Sequence, residues 1–207
     1  MIELTNVGKS FGDSVLFQNV NLRIETGEFI VLNGKSGSGK TTMLNMIGGL
    51  EDVTSGTVTI DGRDVSKKKN QLWLYGEKLC FLFQNFALIE HKTVRKNLQM
   101  VKKRFASDTS IEDALKYVGL ADRIDCPVYT LSGGEQQRIA LARIMIKKCD
   151  VILADEPTGS LDRENAENVI SYIRDFHKQG KTIILVTHDQ AYQNIGDRTI
   201  TLEQFRV

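Results

Sequence analysis

The chain has 207 residues, 41% hydrophobic and 26% charged, and its 27 basic side chains nearly balance 26 acidic ones, for a net charge of +1. This length allows one large domain or two small ones, with a core that needs no disulfide or metal. The charge balance argues against a protein that coats nucleic acid, so no nucleic-acid partner is expected. Three scattered cysteines without a C-x-x-C pair indicate neither a disulfide framework nor a zinc site.

No segment is predicted to cross a membrane. The longest run without a charged residue, Leu79 to Ile89, has eleven residues, whereas a spanning helix needs about 20 apolar ones. The first residues have neither a basic start nor an apolar run, so no signal peptide is predicted. A cytoplasmic setting is therefore expected, with membrane contact only through a partner.

Strands and helices alternate along the chain. Residues 28–33 form an apolar run before a glycine-rich loop, and a helix is predicted from Thr41 to Ile47. Residues 57–61 alternate in polarity before an Asp-Gly turn, which predicts an antiparallel strand. Ser110, with Asp113 three residues later, resembles a capping box at the start of a helix.

The second half predicts a helix at 135–148 and buried parallel strands at 151–154 and 182–186, which are continuous apolar runs. Between these strands an apolar face recurs at helical spacing and ends before Gly180; its members are Ala166, Val169, Ile170, Ile173 and Phe176. The pattern predicts an α/β core with a mainly helical insert over about residues 85–148.

A phosphate-binding loop follows the strand at 28–33. Residues 34–41 match G-x-x-x-x-G-K-[ST] in the strand-to-helix setting that this motif requires. Glycines let the backbone curl so that successive N–H groups face phosphate oxygens, and the helix N-terminus adds a favourable dipole. We expect Lys40 between the β- and γ-phosphates of ATP and the Thr41 hydroxyl on Mg²⁺. The residues predicted to bind the nucleotide here are Gly34, Lys35, Ser36, Gly37, Ser38, Gly39, Lys40, Thr41 and Thr42.

Two adjacent acids follow the strand at 151–154. Asp155 should lie at the same sheet edge as the phosphate loop, where it can hold the metal through its water shell. Glu156 is the next residue, so its side chain should point elsewhere and can face an attacking water. An acid followed by proline is also an ordinary strand end.

A third motif carries a family resemblance. Residues 131–136, Leu-Ser-Gly-Gly-Glu-Gln, resemble the signature of ATP-binding cassette (ABC) ATPases, and all three motifs occur in that family's order. The resemblance covers essentially the whole chain. It implies a single ABC ATPase domain at 1–207 with the α/β fold of a P-loop NTPase. The implied RecA-like core covers about 1–84 and 149–207, and an N-terminal antiparallel β subdomain accompanies it. A helical subdomain at about 85–148 carries the signature.

The resemblance assigns roles to four more residues. Gln84 resembles the Q-loop glutamine that reaches the metal and the water, and His188 resembles the switch histidine that contacts the γ-phosphate. Asp162 resembles the last residue of the D-loop, and Phe11 lies where the family has an aromatic that stacks on adenine. Each of three residues also has a structural interpretation when it is considered alone. Gln84 could be an ordinary polar residue at a strand end, His188 could be a hydrogen-bonded structural histidine, and Phe11 could be a core aromatic.

The signature offers a second anion site, because Ser132, Gly133, Gly134 and Glu135 open a helix. In ABC ATPases the signature of one subunit closes over the nucleotide of another, so the resemblance implies an ATP-dependent head-to-tail homodimer. The implied reaction is Mg²⁺-dependent ATP hydrolysis by in-line attack of water, with Glu156 as general base. Lys40, Gln84 and His188 complete the predicted catalytic group.

The sequence favours one branch of the family. Residues 47–57, 83–86 and 154–162 resemble ATPases of lipoprotein-release and of macrolide or antimicrobial-peptide exporters. This implies an integral-membrane permease as partner, a position at the inner face of the cell membrane, and export of a peptide, bacteriocin, lipoprotein or drug. The alternative is an ATPase of the cell-division type, which signals across the membrane and moves no cargo.

Two departures from the branch and one basic segment concern the partner and the chain end. Lys96 stands where this branch usually has glutamate. Between Arg63 and Arg104 there are eleven basic and three acidic residues, an excess of eight positive charges that leaves −7 for the remainder. This basic segment is either a solvated surface or a face for an anionic partner or lipid headgroups. Residues 203–207 also differ from the family's usual ending, and we expect this to leave the catalytic residues untouched.

Overall fold

An antiparallel and a parallel sheet form the frame of the fold in a computed structural model, which describes residues 1–205. Arg206 and Val207, the end of the departing segment 203–207, lie outside the described residues. The strands are β1 (Ile2–Phe11), β2 (Ser14–Ile24), β3 (Phe29–Asn33), β4 (Ser55–Ile60), β5 (Arg63–Asp64), β6 (Leu79–Leu82), β7 (Val151–Asp155), β8 (Thr182–Val186) and β9 (Arg198–Thr201). The α-helices are α1 (Lys40–Ile47), α2 (Lys68–Trp73), α3 (Val94–Leu98), α4 (Ile111–Tyr117), α5 (Gly133–Met145) and α6 (Arg163–Lys178).

The antiparallel sheet has the strand order β2-β1-β4-β5. The predicted antiparallel strand is confirmed as β4, which pairs with β1 and β5. Asp61 and Gly62, both with positive φ, connect β4 to β5 in the two-residue hairpin geometry that Asp-Gly favours.

The parallel sheet has the order β6-β7-β8-β3-β9. The buried strands predicted at 28–33, 151–154 and 182–186 are confirmed as β3, β7 and β8. Alternate residues of each strand serve two different hydrophobic clusters, as the two-residue period of a strand requires. In β3, Ile30 and Leu32 pack toward α1 and the antiparallel sheet, whereas Val31 packs toward α5 and α6. The sheet is therefore covered on both faces.

The chain between β6 and β7 is mainly helical, as predicted. Ser110 caps α4 by accepting a hydrogen bond from the Asp113 backbone N–H at 3.0 Å. Helix α5 begins at Gly133 and ends at Met145, so the predicted bounds of 135 and 148 are wrong at both ends. Ser132 and Glu135 form a full capping box, which explains the earlier start. Within residues 1–205 no helix has both the length and the apolar character needed to span a membrane.

A buried lysine that pairs with two acids connects three parts of the fold. A π-helical turn over Leu74–Lys78 places the Lys78 ammonium 2.6 Å from Asp61 and 2.8 Å from Asp150, with only 10% of its side chain exposed. Burial alone would lower the pKa of Lys78, but hydrogen bonds to Asp150 and Asp61 outweigh it and hold the pKa above its usual value. Lys78 thereby joins the β4–β5 hairpin to the start of β7.

Replacing this lysine should destabilise the protein. Lys78→Met keeps the apolar stem but leaves Asp150 without its partner and Asp61 with only the N-terminal ammonium, 2.8 Å away. We expect the free energy of unfolding to fall by about 1–3 kcal/mol, below the cost for a fully buried pair. Urea unfolding followed by circular dichroism measures this. The control is Lys67→Met, because the exposed Lys67 lies 3.7 Å from Asp64 and should contribute less than about 0.5 kcal/mol. Equal losses in both variants would contradict the assignment.

Candidate functional site

The phosphate-binding loop joins β3 to α1 at the carboxyl edge of the parallel sheet. Gly37 and Gly39 have φ values of 74° and 91°, in the left-handed region that strains other residues. A Cβ at Gly39 would also lie 2.6 Å from the Phe17 ring, so a side chain there would collide with the core. Strand, loop and helix follow one another as the motif predicts.

Two side chains of the loop point inward. The Lys40 ammonium donates to the backbone oxygens of Gly34, at 2.9 Å, and Lys35, at 3.1 Å, which places its charge inside the loop. The Ser38 hydroxyl is buried and has no hydrogen-bond partner among residues 1–205. It lies 2.5 Å from the position that a Cβ at Gly34 would take, so it faces the start of the loop. A buried donor without a partner in this position suits an anionic ligand.

The three predicted metal-binding residues come together beside the loop. The Thr41 hydroxyl donates to the Asp155 carboxylate at 3.1 Å, across the gap between α1 and β7. Gln84 and Asp155 line one cavity with Ser160. Hydroxyl, carboxylate and amide oxygens are the ligands that Mg²⁺ prefers, so this donor set fits that ion. Burial raises the pKa of Asp155, and the nearby Glu156 raises it further, against opposing effects of Thr41 and Lys40.

Glu156 and His188 form a second pair on the other side of β7. The Glu156 Oε2 atom lies 2.8 Å from Nδ1 of His188 and also accepts a hydrogen bond from the His188 backbone at 3.3 Å. Asp155 instead faces Thr41, so the two adjacent acids point in different directions, as expected. Glu156 has a φ of 46°, a strained value for a residue with a side chain. Its backbone N–H donates to the Val186 oxygen at 3.0 Å, which ties it to β8.

The signature residues and Phe11 lie apart from the phosphate loop. Within residues 1–205, neither Phe11 nor the segment 132–135 forms a hydrogen bond or an ion pair with the loop. The Glu135 carboxylate accepts from the Ser132 backbone at 2.8 Å, and this bond lowers its pKa. Phe11 is 52% exposed with the Lys9 ammonium 4.6 Å from its ring, so the alternative of a core aromatic is wrong.

Asp162 is the N-cap of α6. Its carboxylate accepts hydrogen bonds from the backbone and side-chain N–H groups of Asn165, at 2.9 Å and 2.7 Å, which lower its pKa. This cap fixes the end of the segment 156–162 that leads from β7 to α6. Its predicted nucleotide contact stays a prediction.

One contact of the phosphate loop was missed from the sequence. The Glu203 carboxylate accepts a hydrogen bond at 2.8 Å from the backbone N–H of Lys35, and this bond lowers the pKa of Glu203. This contact is made to a backbone group of the loop, so the expectation that the altered chain end leaves the catalytic residues untouched stays a prediction. No sequence signal connects these residues, which are 168 positions apart; only the pairing of β9 with β3 brings them together.

The burial of Asp155 should cost stability. Because its pKa is raised in the folded state, folding favours its protonated form, and the ionised form destabilises the protein above the ordinary Asp pKa of about 4. Asp155→Asn should therefore raise the melting temperature at pH 7 by a few degrees, and the difference should shrink as the pH approaches about 4. Differential scanning calorimetry at several pH values measures it. The exposed Asp108→Asn is the control, and a lower melting temperature for Asp155→Asn at pH 7 would refute the prediction.

Comparison with known proteins places the chain in a family. A family model described as ABC transporter matches residues 17–159. The chain is 38% identical to the uncharacterized ABC transporter ATP-binding protein YvrO of Bacillus subtilis (strain 168), over 97% of this chain and 92% of that protein. It is 35% identical to the glutamine transport ATP-binding protein GlnQ of the same organism, over 100% of this chain and 88% of GlnQ.

Two further similarities extend the comparison. Identity is 36% to the macrolide export ATP-binding/permease protein MacB of Salmonella choleraesuis (strain SC-B67), over 100% of this chain but 34% of MacB. The dimeric, post-hydrolysis structure of the ATP-binding cassette MJ0796 bound to ADP and Pi superposes with a TM-score of 0.83 at 34% identity, covering 97% of this chain and 94% of that one. The resemblance and fold predicted from the sequence are confirmed, and the chain belongs to the ABC transporter family as an ATP-binding cassette ATPase.

Proposed function

We propose that this ATPase drives a separate integral-membrane permease, that it acts as a head-to-tail dimer, and that the transport is export. One observation supports the proposed catalytic role: five predicted site residues lie at the same edge of the parallel sheet. These residues are Lys40, Thr41, Asp155, Glu156 and His188. On this proposal the subunit sits at the inner face of the cell membrane through its permease.

The proposed chemistry uses the two acids differently. Thr41, Asp155 and Gln84 would hold Mg²⁺, which when bound supplies positive charge against the β- and γ-phosphate oxygens. Lys40 and the loop amides stabilise the negative charge of the transferred phosphoryl group. Glu156 accepts a proton from the water that attacks the γ-phosphorus, and His188, which contacts the Glu156 carboxylate, orients the γ-phosphate.

Dimerisation completes each site on this proposal. Ser132 and the backbone of Gly133 and Gly134 would contact the γ-phosphate held by the phosphate loop of a second copy. Asp162 would border the same interface, and Phe11 would stack on adenine. The dimeric MJ0796 structure, at 34% identity, supports this arrangement.

The permease would dock in an apolar groove beside the Q-loop. Arg143 of α5 donates to the backbone oxygens of Ala87, at 2.6 Å, and Phe86, at 3.0 Å, so the groove wall is joined to the signature helix. On this proposal the groove separates the core, about 1–84 and 149–207, from the helical subdomain, about 85–148. The apolar residues that line the groove are Tyr75, Ala87, Ile89, Met100, Val101 and Phe105.

The charge around the groove predicts the character of the docking segment. Eight of the eleven cations of the basic segment are exposed and have no ion-pair partner within residues 1–205: Arg63, Lys68, Lys69, Lys92, Lys96, Lys102, Lys103 and Arg104. Lys96 reverses the charge usual in this branch, and Lys102 lines the groove itself. We therefore infer a permease segment with an apolar anchor and acidic flanks, and the exposed cations favour an anionic partner over a solvated surface.

Export is proposed from the branch-specific residues 47–57, 83–86 and 154–162 together with the similarity to MacB. The relatives include a glutamine transport protein at nearly equal identity, so the cargo needs a direct assay. Stimulation of ATP hydrolysis by a peptide, lipoprotein or drug in proteoliposomes that contain the permease supports export. Hydrolysis that responds to no such cargo supports the signalling alternative.

Removing the general base should separate ATP binding from hydrolysis. Glu156→Gln keeps the shape of the side chain but cannot accept the proton, so we expect kcat to fall at least about 100-fold with little change in ATP affinity. The variant should accumulate as an ATP-dependent dimer in size-exclusion chromatography. The control is Glu167→Gln, an exposed residue of α6 paired with Arg163. Near-normal turnover by Glu156→Gln would overturn its role.

Reversing one charge beside the groove should weaken permease binding. Lys96→Glu restores the acid usual in this branch and should repel the proposed acidic flank, so the permease recovered with the tagged subunit from native membranes should fall about tenfold, or 1.4 kcal/mol. Lys116→Glu changes an exposed cation of α4 outside the basic segment and should leave recovery unchanged. Equal recovery with both variants would argue for a solvated surface.

A further inference from the structure

The signature helix is hydrogen-bonded directly to the turn that carries Glu156. Gln137, in the second turn of α5, is fully buried, and its Nε2 donates to the backbone oxygen of Pro157 at 2.7 Å. Its Oε1 is buried without a hydrogen-bond partner among residues 1–205. An apolar side chain would avoid the cost of that unpaired atom, so packing alone does not explain a glutamine at this position.

A second connection runs parallel to the first. The Arg138 guanidinium donates to the Asn165 side chain at 2.7 Å, and Asn165 in turn donates to the Asp162 carboxylate. A Cβ at Gly134 would lie 2.4 Å from the Asn165 side chain, so glycine is needed there for the two helices to approach. The start of α5 is thus joined to both ends of the segment 156–162.

The position of Glu156 depends on these connections. Its backbone has a strained φ of 46°, which persists only where the surroundings fix it. The Glu156 N–H is held by Val186 on one side, and the Pro157 carbonyl, one residue further along the chain, is held by Gln137 on the other. A shift of α5 therefore moves the carbonyl of the residue that follows Glu156.

We propose that Gln137 is a positioning residue that, with Arg138 and Asn165, couples the nucleotide bound at the signature to the Glu156 carboxylate of the same chain. This rests on the proposed head-to-tail dimer, in which the signature contacts the partner's nucleotide. Occupancy of one site then sets the geometry of the general base in the other. Hydrolysis in the two sites is cooperative because each signature helix belongs to the chain whose Glu156 it positions.

The test compares Gln137→Met with Ser107→Ala in the full chain. Ser107 donates to the Met145 oxygen at 2.6 Å, so its removal deletes a side-chain bond to the other end of the same helix. ATP hydrolysis is measured against ATP concentration and normalised to the nucleotide that each preparation binds. We expect a Hill coefficient of about 2 for the parent chain and for Ser107→Ala, falling to about 1 for Gln137→Met, with kcat at least about tenfold lower.

These measurements distinguish a loss of positioning of Glu156 from a loss of folded protein. A partly unfolded preparation loses bound nucleotide and activity together but keeps its Hill coefficient. A parent Hill coefficient of 1, or a Gln137→Met coefficient and kcat within twofold of the parent, would overturn the proposal. Asn165→Ala removes the side chain that joins Arg138 to Asp162. It should lower the Hill coefficient in the same way, and it replaces Gln137→Met in the test if that variant does not fold.

A dimer assay distinguishes this proposal from the function on which it rests. Glu156→Gln alone and combined with Gln137→Met are compared for ATP-dependent dimers. Dimers in both support a role for Gln137 after closure. A dimer only in the single variant overturns the positioning role, whereas no dimer in either contradicts the proposed head-to-tail assembly itself.

Discussion

The parallel register of three strands is the constraint on which the site depends. Val186 of β8 pairs with Leu32 of β3 on one side and with Asp155 of β7 on the other. The three strands therefore end at the same level, and the loops that follow them leave the sheet together. This brings the phosphate loop after β3, the acidic pair at the end of β7 and His188 after β8 to one edge of the sheet. A shift of one residue in either pairing would separate Thr41 from Asp155 or Glu156 from His188.

Several residues of the predicted site lower the stability of the folded protein. Asp155 is partly buried beside another acid, which raises its pKa; Glu156 has a strained backbone, and Gln137 keeps a buried oxygen without a partner among residues 1–205. Such features persist when the surrounding structure is stable enough to impose them. Here the surrounding structure is a sheet covered on both faces, with the ion pairs of Lys78 at the start of β7. The contacts at the start of β7 thereby help the fold to tolerate the destabilising residues at the other end of the strand.

Local signals were sufficient to predict four of the nine described strands, β3, β4, β7 and β8, together with the phosphate loop and the order of the motifs, because each rests on residues close together in the chain. The start of α5 was also readable, since Ser132 and Glu135 have the spacing of a capping box, yet the helix was placed two residues late. Contacts between distant residues could not be predicted in this way. Glu203 contacts Lys35 because two strands pair, and Gln137 contacts Pro157 because a helix packs against the turn after β7. No local sequence pattern around the glutamate or the glutamine predicts these partners.

The central claim is that the phosphate loop of one chain and the signature of another enclose a single nucleotide. A crystal structure of the Glu156→Gln variant with ATP and Mg²⁺ tests it most directly. The account predicts Lys40 on the β- and γ-phosphates, Thr41 and Gln84 on the metal, and Ser132 of the second copy within hydrogen-bond distance of the γ-phosphate. A nucleotide whose γ-phosphate faces solvent in a monomer, or contacts Ser132 of its own chain, would contradict it.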